Sequence, residues 1–181
     1  DVHSIGGADW LRLLAVHEFR HTVQFDYLNK NHFSFISALF GDYGLAISAN
    51  LFVPTWFYEG DAISSETSLT ELGRGRMPSF EMPLRTILDK KEYFSYNQAL
   101  MGSYRRYFPN HYYLGYFMHT HVARTYGLTT WPLVLNRVTK YKSFSGSLRR
   151  ITGFNVVRTY LNTMDELQQN WIGQTLPLSN E

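Results

Sequence analysis

The sequence predicts a mainly α-helical fold, formed by one domain over residues 1–181. No segment sustains the alternation of apolar and polar residues that is typical of half-buried strands. Most of the chain instead shows apolar residues at helical spacing, and Gly, Asn or Pro stands where one such segment ends. An apolar content of 44%, with 18% charged residues, is enough for a sizeable core and excludes a disordered chain.

The first predicted helix covers about residues 8–29, with Asp9 as its N-cap. Two short apolar stretches follow, Phe33–Phe40 and Leu45–Leu51. The polar and glycine-containing segment Gly41–Gly44 separates these two stretches and predicts a turn. The first third of the chain is therefore expected to hold one long helix and two short apolar elements.

A second long helix is predicted over about residues 54–70, because Pro54 suits the first turn of a helix. The segment Gly73–Pro78, rich in Gly and Arg, predicts a loop. Further helices are predicted at about residues 82–91, 96–102, 110–126, 131–140, 144–152 and 155–172. We see no internal repeat and no linker that would divide the chain into independent units.

Two histidines four residues apart, His17 and His21, lie within the first predicted helix, and Glu18 follows the first of them. Residues at this spacing share one face of a helix about one turn apart, so both imidazoles can bind one ion. Glu18 can reach a water molecule on that ion, where a carboxylate serves as general base. The pattern therefore indicates a Zn²⁺ site that carries its own base.

A catalytic zinc site needs a third protein ligand and one position left open for water. A common solution, with Gly at position 24 and His at position 27, is excluded because these residues are Gln24 and Tyr27. Another common solution takes a Glu from a second helix downstream, and Glu59 is the candidate. Apolar neighbours predict that Glu59 is buried, and a metal ion would remove the cost of ionising a carboxylate there.

The segment Trp56–Ala62 and the first motif together resemble the gluzincins, zinc peptidases with two His ligands and one Glu ligand. Within this group the resemblance is to the peptidase MA-like and aminopeptidase-like families. It implies that the chain is the helical catalytic subdomain of a gluzincin-type zinc peptidase. It also implies that His17, His21 and Glu59 bind zinc and that Glu18 is the general base and proton shuttle.

The spacing is longer than is usual in the aminopeptidases, because Glu59 follows His21 by 38 positions. We expect the insert, residues 29–53, to form an additional helical hairpin or a lid. In gluzincins a small β-rich lobe precedes the motif helix and supplies an edge strand along which the substrate lies. Nothing before residue 9 could form that lobe, so we expect this chain to be a segment of a longer protein with additional domains upstream.

The resemblance also implies a Tyr that opens a helix and donates a hydrogen bond to the developing oxyanion. The segment Tyr112–Gly115 matches the Tyr-x-x-Gly pattern and makes Tyr112 the first choice. Tyr116, one turn along the same face, is the second choice, whereas Tyr113 points about 100° away. His111 could serve as a second donor. The simpler alternative for each Tyr is a core residue with a satisfied hydroxyl.

Four other polar residues receive interpretations from the sequence. Glu66 either orients a ligand His through a hydrogen bond, as residues beyond the first shell of ligands do, or is a solvated helix residue. Asp61 lies about 200° around the helix from Glu59 and is expected at the surface or behind a ligand. His119 and His121 face different sides of one helix, so each is expected to be structural.

The function predicted from these residues is zinc-dependent hydrolysis of peptide bonds, with Zn²⁺ as cofactor and a peptide or protein as substrate. The alternative is a non-catalytic zinc-binding scaffold or interaction domain derived from a gluzincin. Glu18 speaks against this alternative, because a scaffold needs metal ligands but no base. A chance motif in a plain helical domain would leave the apolar setting of Glu59 unexplained.

Composition excludes several classes of partner. The net charge of +2 and the dispersed Lys and Arg residues are not typical of nucleic-acid binding. No apolar run approaches the roughly 20 residues of a membrane-spanning helix. The absence of cysteine excludes disulfide bonds and thiolate ligands but leaves the compartment open. We favour an extracytoplasmic over a cytoplasmic location.

Overall fold

The computed structural model describes residues 7–29, 34–102, 105–141 and 143–172. These residues contain helices and no strand, which confirms the predicted mainly α-helical fold. The helices are α1 (Gly7–Leu28), α2 (Ser34–Phe52), α3 (Thr55–Leu69), a 3₁₀ turn (Arg74–Arg76), α4 (Pro78–Asp89), α5 (Tyr96–Met101), α6 (His111–Tyr126), α7 (Thr130–Tyr141), α8 (Phe144–Thr152) and α9 (Val156–Ile172).

Most helices begin and end close to the predicted positions, but the predicted start of α4 was wrong. The chain breaks within the predicted turn Gly41–Gly44, at Gly41, whose φ of 64° and ψ of −161° divide α2 into two helical segments. Glycine tolerates this positive φ because it has no Cβ. α4 begins at Pro78 instead of about residue 82, because proline is well suited to the first helical position.

Helix α3 lies at the centre of the molecule and packs most extensively against α6 and then against α1. Its fully buried residues Trp56, Phe57 and Ile63 belong to the main core. Trp131 of α7 and Phe144 of α8 complete an aromatic cluster around Trp56 and Phe57, with ring centroids 5.0–6.4 Å apart. A helix buried on nearly all sides can hold a polar side chain at a fixed position in the interior.

The crossing of α3 and α6 is unusually close, because glycines face each other there. A Cβ on Gly60 would lie 2.2 Å from the carbonyl carbon of Gly115, and a Cβ on Gly115 would lie 2.0 Å from the carbonyl oxygen of Trp56. Neither position has room for a side chain, and the atoms in the way belong to backbone that cannot rotate aside. The two helices therefore pack backbone against backbone.

Among the described residues, no helix is both long enough and apolar enough to cross a membrane.

Substitution Gly115→Ala is expected to lower the free energy of unfolding by about 2–3 kcal/mol, because the added Cβ forces α3 and α6 apart. Denaturant unfolding of the metal-free chain measures this change. Gly146→Ala in α8 is the matched control, because its Cβ would meet only the flexible Ser143 hydroxyl, at 2.9 Å. Equal stability of the Gly115→Ala variant and the unsubstituted chain would contradict the close crossing.

Candidate metal centre

Helices α1 and α3 bring two imidazoles and one carboxylate to the same point. The Nε2 atoms of His17 and His21 lie 3.2 Å apart, as expected for residues one helical turn apart. Oε2 of Glu59 lies 3.3 Å from Nε2 of His17 and 3.5 Å from Nε2 of His21. The three predicted ligands therefore converge, and they form a group that could hold a metal ion.

The triangle formed by these three atoms has the size that tetrahedral Zn²⁺ requires. Metal–ligand bonds of about 2.0–2.1 Å place neighbouring tetrahedral ligands about 3.3 Å apart. The observed edges of 3.2, 3.3 and 3.5 Å fit that value. Oε2 of Glu59 is buried without a hydrogen-bond partner, so the cluster leaves an acceptor atom that a cation would satisfy.

A hydrogen bond at the far side of its ring orients His21 for metal binding. Its Nδ1 lies 2.9 Å from Oε1 of Gln24. The Gln24 amide nitrogen donates to the carbonyl oxygen of Tyr58 at 3.0 Å and to Oδ2 of Asp61 at 2.7 Å. These two acceptors determine how the amide is turned, so Oε1 must accept from Nδ1–H of His21. In the neutral ring of His21 the lone pair is then on Nε2, which faces Glu59.

His17 is oriented in the same way by Glu66, which is fully buried. Oε2 of Glu66 lies 3.0 Å from Nδ1 of His17, and the carboxylate also accepts from Nε, Nη2 and the backbone N–H of Arg74. Nη2 of Arg74 also lies 2.8 Å from Nδ1 of His17. A guanidinium only donates and an ionised carboxylate only accepts, so we assign Nδ1–H of His17 and Nη2–H of Arg74 as two donors to Glu66. The structure shows the predicted hydrogen bond to a ligand His, and the solvated alternative for Glu66 was wrong.

Asp61 is buried, so its predicted surface position was wrong and only the position behind a ligand agrees with the structure. Both of its oxygens accept from Arg20, at 2.7 and 3.0 Å, and Nε2 of His119 lies 3.3 Å from Oδ1. Burial alone would raise the pKa of Asp61, but His119 and Arg20 outweigh burial and hold the pKa well below its usual range. The ionised carboxylate supports His21 through Gln24.

The two structural histidines behave as the sequence predicts. The ring of His119 stacks on Trp131, with centroids 5.2 Å apart and an interplanar angle of 13°. Nδ1 of His121 lies 2.5 Å from Oε2 of Glu166, on the side of α6 that faces α9. His119 and His121 are both outside the group of three ligands.

The pKa values of the predicted ligands favour protons at the centre. Burial lowers the pKa of His17, but the neighbouring carboxylates of Glu59 and Glu66 outweigh burial and raise the pKa to about 9. The neighbouring carboxylate of Glu59 raises the pKa of His21 as well. Burial opposes ionisation of Glu59, yet the two imidazoles lower its pKa to about 2. A metal ion that binds here must therefore displace protons from the histidines.

The other two predicted site residues lie at the edge of this cluster. Glu18 is exposed and follows His17 on α1. Tyr112 lies in the first turn of α6. The pKa of Tyr112 is raised mainly by burial and further by the charges of Glu59 and Glu18, so all three groups are close together. Tyr112 therefore lies near Glu59, one of the three predicted metal ligands.

The other aromatic residues of the first turns of α6 lie elsewhere. The hydroxyl of Tyr116 donates to the carbonyl oxygen of Gly75 at 3.5 Å, and the ring of Tyr113 stacks on Phe80 with centroids 4.6 Å apart. His111 stacks on the ring of Tyr112, also at 4.6 Å. Of the three tyrosines considered from the sequence, Tyr112 is the one whose pKa is raised by the charge of Glu59, a predicted ligand.

Sequence reasoning missed two residues of this centre, Gln24 and Arg74. Gln24 could have been found, because it follows His21 by three residues and shares a helix face with it. Arg74 carries no such signal, since it lies in a 3₁₀ turn and reaches His17 only through the tertiary fold.

Comparisons of this chain with models of protein families, with curated proteins and with solved structures found no match. The resemblance to the gluzincins therefore rests on the two motifs and on the positions of their residues.

Zinc affinity is expected to rise with pH through neutrality and to level off only near pH 9, the pKa of His17. Below that pKa the metal must displace a proton, which lowers apparent affinity about tenfold per pH unit for each proton displaced. Glu59 is ionised throughout this range, so it contributes no pH dependence. Competition with a chromophoric chelator measures the affinity. An affinity that is constant above neutrality, as histidines with ordinary pKa values would give, would contradict the raised pKa.

Proposed function

We propose that this chain is the catalytic domain of a zinc-dependent metallopeptidase of the gluzincin type, which hydrolyses peptide bonds. The observation that carries the proposal is the triangle of His17, His21 and Glu59, whose edges fit tetrahedral zinc. Three protein ligands leave the fourth position open, which is typical of catalytic rather than structural zinc sites. Zn²⁺ bound there would supply a Lewis acid that lowers the pKa of water and polarises a carbonyl group.

Glu18 is the proposed general base. Its carboxylate is exposed and lies next to a ligand in the chain, so it can contact both the attacking water and solvent. In this role it accepts the proton of the water and later passes the proton to the leaving amine. A carboxylate is suited to this exchange because it has two oxygens for the two transfers.

Tyr112 is the proposed donor to the oxyanion. Burial and the neighbouring carboxylates raise its pKa, so the hydroxyl keeps its proton at neutral pH and can donate it in a hydrogen bond. Negative charge develops on the carbonyl oxygen during attack, and a donor already in place stabilises that charge.

The alternative function, a non-catalytic zinc-binding scaffold, shares the same ligands and differs in the use of Glu18 and Tyr112. It predicts one zinc ion per chain and no cleavage of any peptide. A screen of the zinc-loaded chain against a peptide library therefore separates the two functions, and cleavage that chelation abolishes favours the peptidase.

Substitution Glu18→Gln is expected to lower kcat by about 100- to 10,000-fold, the usual contribution of a general acid–base group. Zinc per chain should stay the same, because Glu18 is outside the group of ligands. The control is Glu71→Gln, which removes an exposed carboxylate between α3 and the 3₁₀ turn. Turnover that survives in the Glu18→Gln variant would refute the mechanism.

Substitution Tyr112→Phe is expected to lower kcat by about 100-fold with little change in KM, because the lost donor acts mainly in the transition state. Tyr126→Phe is the matched control, since this residue ends the same helix and lies outside the cavity that Tyr112 lines. Steady-state kinetics of both zinc-loaded variants give the comparison. The same loss in both variants, or no loss in either, would assign Tyr112 to packing alone.

A further inference from the structure

An open cavity of about 440 Å³ lies beside the metal centre. Arg74 and Tyr112 line this cavity and also belong to the centre, through Nη2 of Arg74 near His17 and the Tyr112 hydroxyl near Glu59. A peptide whose scissile carbonyl reached the metal ligands would therefore place an adjacent group in the cavity. This placement rests on the proposed peptidase function.

Arg74 offers unused hydrogen-bond donors to this cavity. Its Nε and Nη2 both donate to Glu66, at 2.6 and 2.8 Å, so the guanidinium is held in one orientation. Within the part of the chain that the structure describes, no hydrogen bond of Arg74 uses Nη1. The side chain is 32% exposed, which leaves these N–H groups accessible from the cavity. The remaining donors of a guanidinium held in one orientation are suited to a carboxylate.

The remaining lining of the cavity favours the same kind of ligand. None of its described lining residues is acidic, and Phe80, Tyr112 and Tyr113 contribute aromatic surface. The first turns of α4 and α6 both border it. Ser79 is the second residue of α4, whose N-cap, Met77, makes no side-chain hydrogen bond, whereas the side chain of Asn110 caps α6. The partial positive charge of these helix ends adds to the charge of Arg74 and disfavours a basic ligand.

We propose that this cavity binds a carboxylate carried by the substrate residue next to the scissile bond. Two sources supply that chemistry, the free carboxyl terminus of a peptide and the side chain of Asp or Glu. In either case the carboxylate accepts from Nη1 of Arg74 while Glu66 holds the opposite edge of the guanidinium. The aliphatic part of the bound residue contacts the aromatic wall of the cavity.

The test compares matched peptides that differ only in this group. In the first peptide, the residue after the scissile bond is the last one and has a free carboxyl terminus. The second peptide is the same except that its carboxyl terminus is amidated. The third and fourth peptides are amidated and have Glu and Gln, respectively, after the scissile bond. Binding is measured with the zinc-loaded Glu18→Gln chain, and kcat/KM with the zinc-loaded unsubstituted chain. We expect at least tenfold tighter binding for a carboxylate than for its neutral counterpart, and the pair that shows it identifies the source.

Variants of two arginines in the 3₁₀ turn test whether Arg74 causes the preference for a carboxylate. Arg74→Met should abolish the preference for the carboxylate, whereas Arg76→Met should retain it, because Arg76 is exposed and lies outside the cavity. Zinc per chain, measured in parallel, shows whether Arg74→Met also disturbs the ligands through Glu66. The peptide comparison in the chain with Arg74 intact stays decisive even if that variant does not fold.

The outcomes separate this proposal from the proposed function. Equal binding of charged and neutral peptides, or a preference that survives in Arg74→Met, overturns the carboxylate site even if peptides are cleaved. A carboxylate preference in binding that Arg74→Met abolishes supports the site, and it does so even if no peptide is cleaved and the peptidase function fails.

Discussion

The backbone contact between Gly60 and Gly115 is the constraint on which the proposed site depends. Helices usually pack with their axes about 8–10 Å apart because side chains separate them. Here a Cβ on either glycine would lie 2.0–2.2 Å from backbone atoms of the other helix, so α3 and α6 approach more closely. Glu59 precedes one glycine and Tyr112 precedes the other by one turn. The close crossing therefore lets the Tyr112 hydroxyl reach the carboxylate of the third ligand.

The two histidines are held from behind by ion pairs with buried carboxylates and half-buried arginines, Arg74 with Glu66 and Arg20 with Asp61. Burying a carboxylate is costly, and replacing a buried ion pair with apolar residues often leaves stability unchanged or improves it. Stability alone therefore gives a weak reason for these pairs. Each pair ends, directly or through one amide, on Nδ1 of a histidine and leaves Nε2 free for a metal. Orientation of the two histidines accounts for both pairs.

Local patterns in the sequence predicted the helices and the convergence of the histidines, because both follow from spacing along one helix. Glu59 was found through its apolar surroundings and through the resemblance of its motif. The role of Arg74 could not be predicted, and Asp61 was left with two alternatives, because their partners lie on other elements and only the tertiary fold brings them together. The sequence pattern predicted the break in α2 over four residues, Gly41–Gly44. The structure has it at Gly41 alone, where φ is positive, because a turn pattern does not resolve single residues.

The central claim is that two helices bring His17, His21 and Glu59 together as ligands of one zinc ion. Elemental mass spectrometry of the chain, purified without added metal and then equilibrated with zinc and dialysed, tests this claim most directly. We expect about one zinc ion per chain, and we expect that a Glu59→Ala variant that still folds loses that ion. A value near zero after equilibration, or full retention of zinc in that variant, would contradict it.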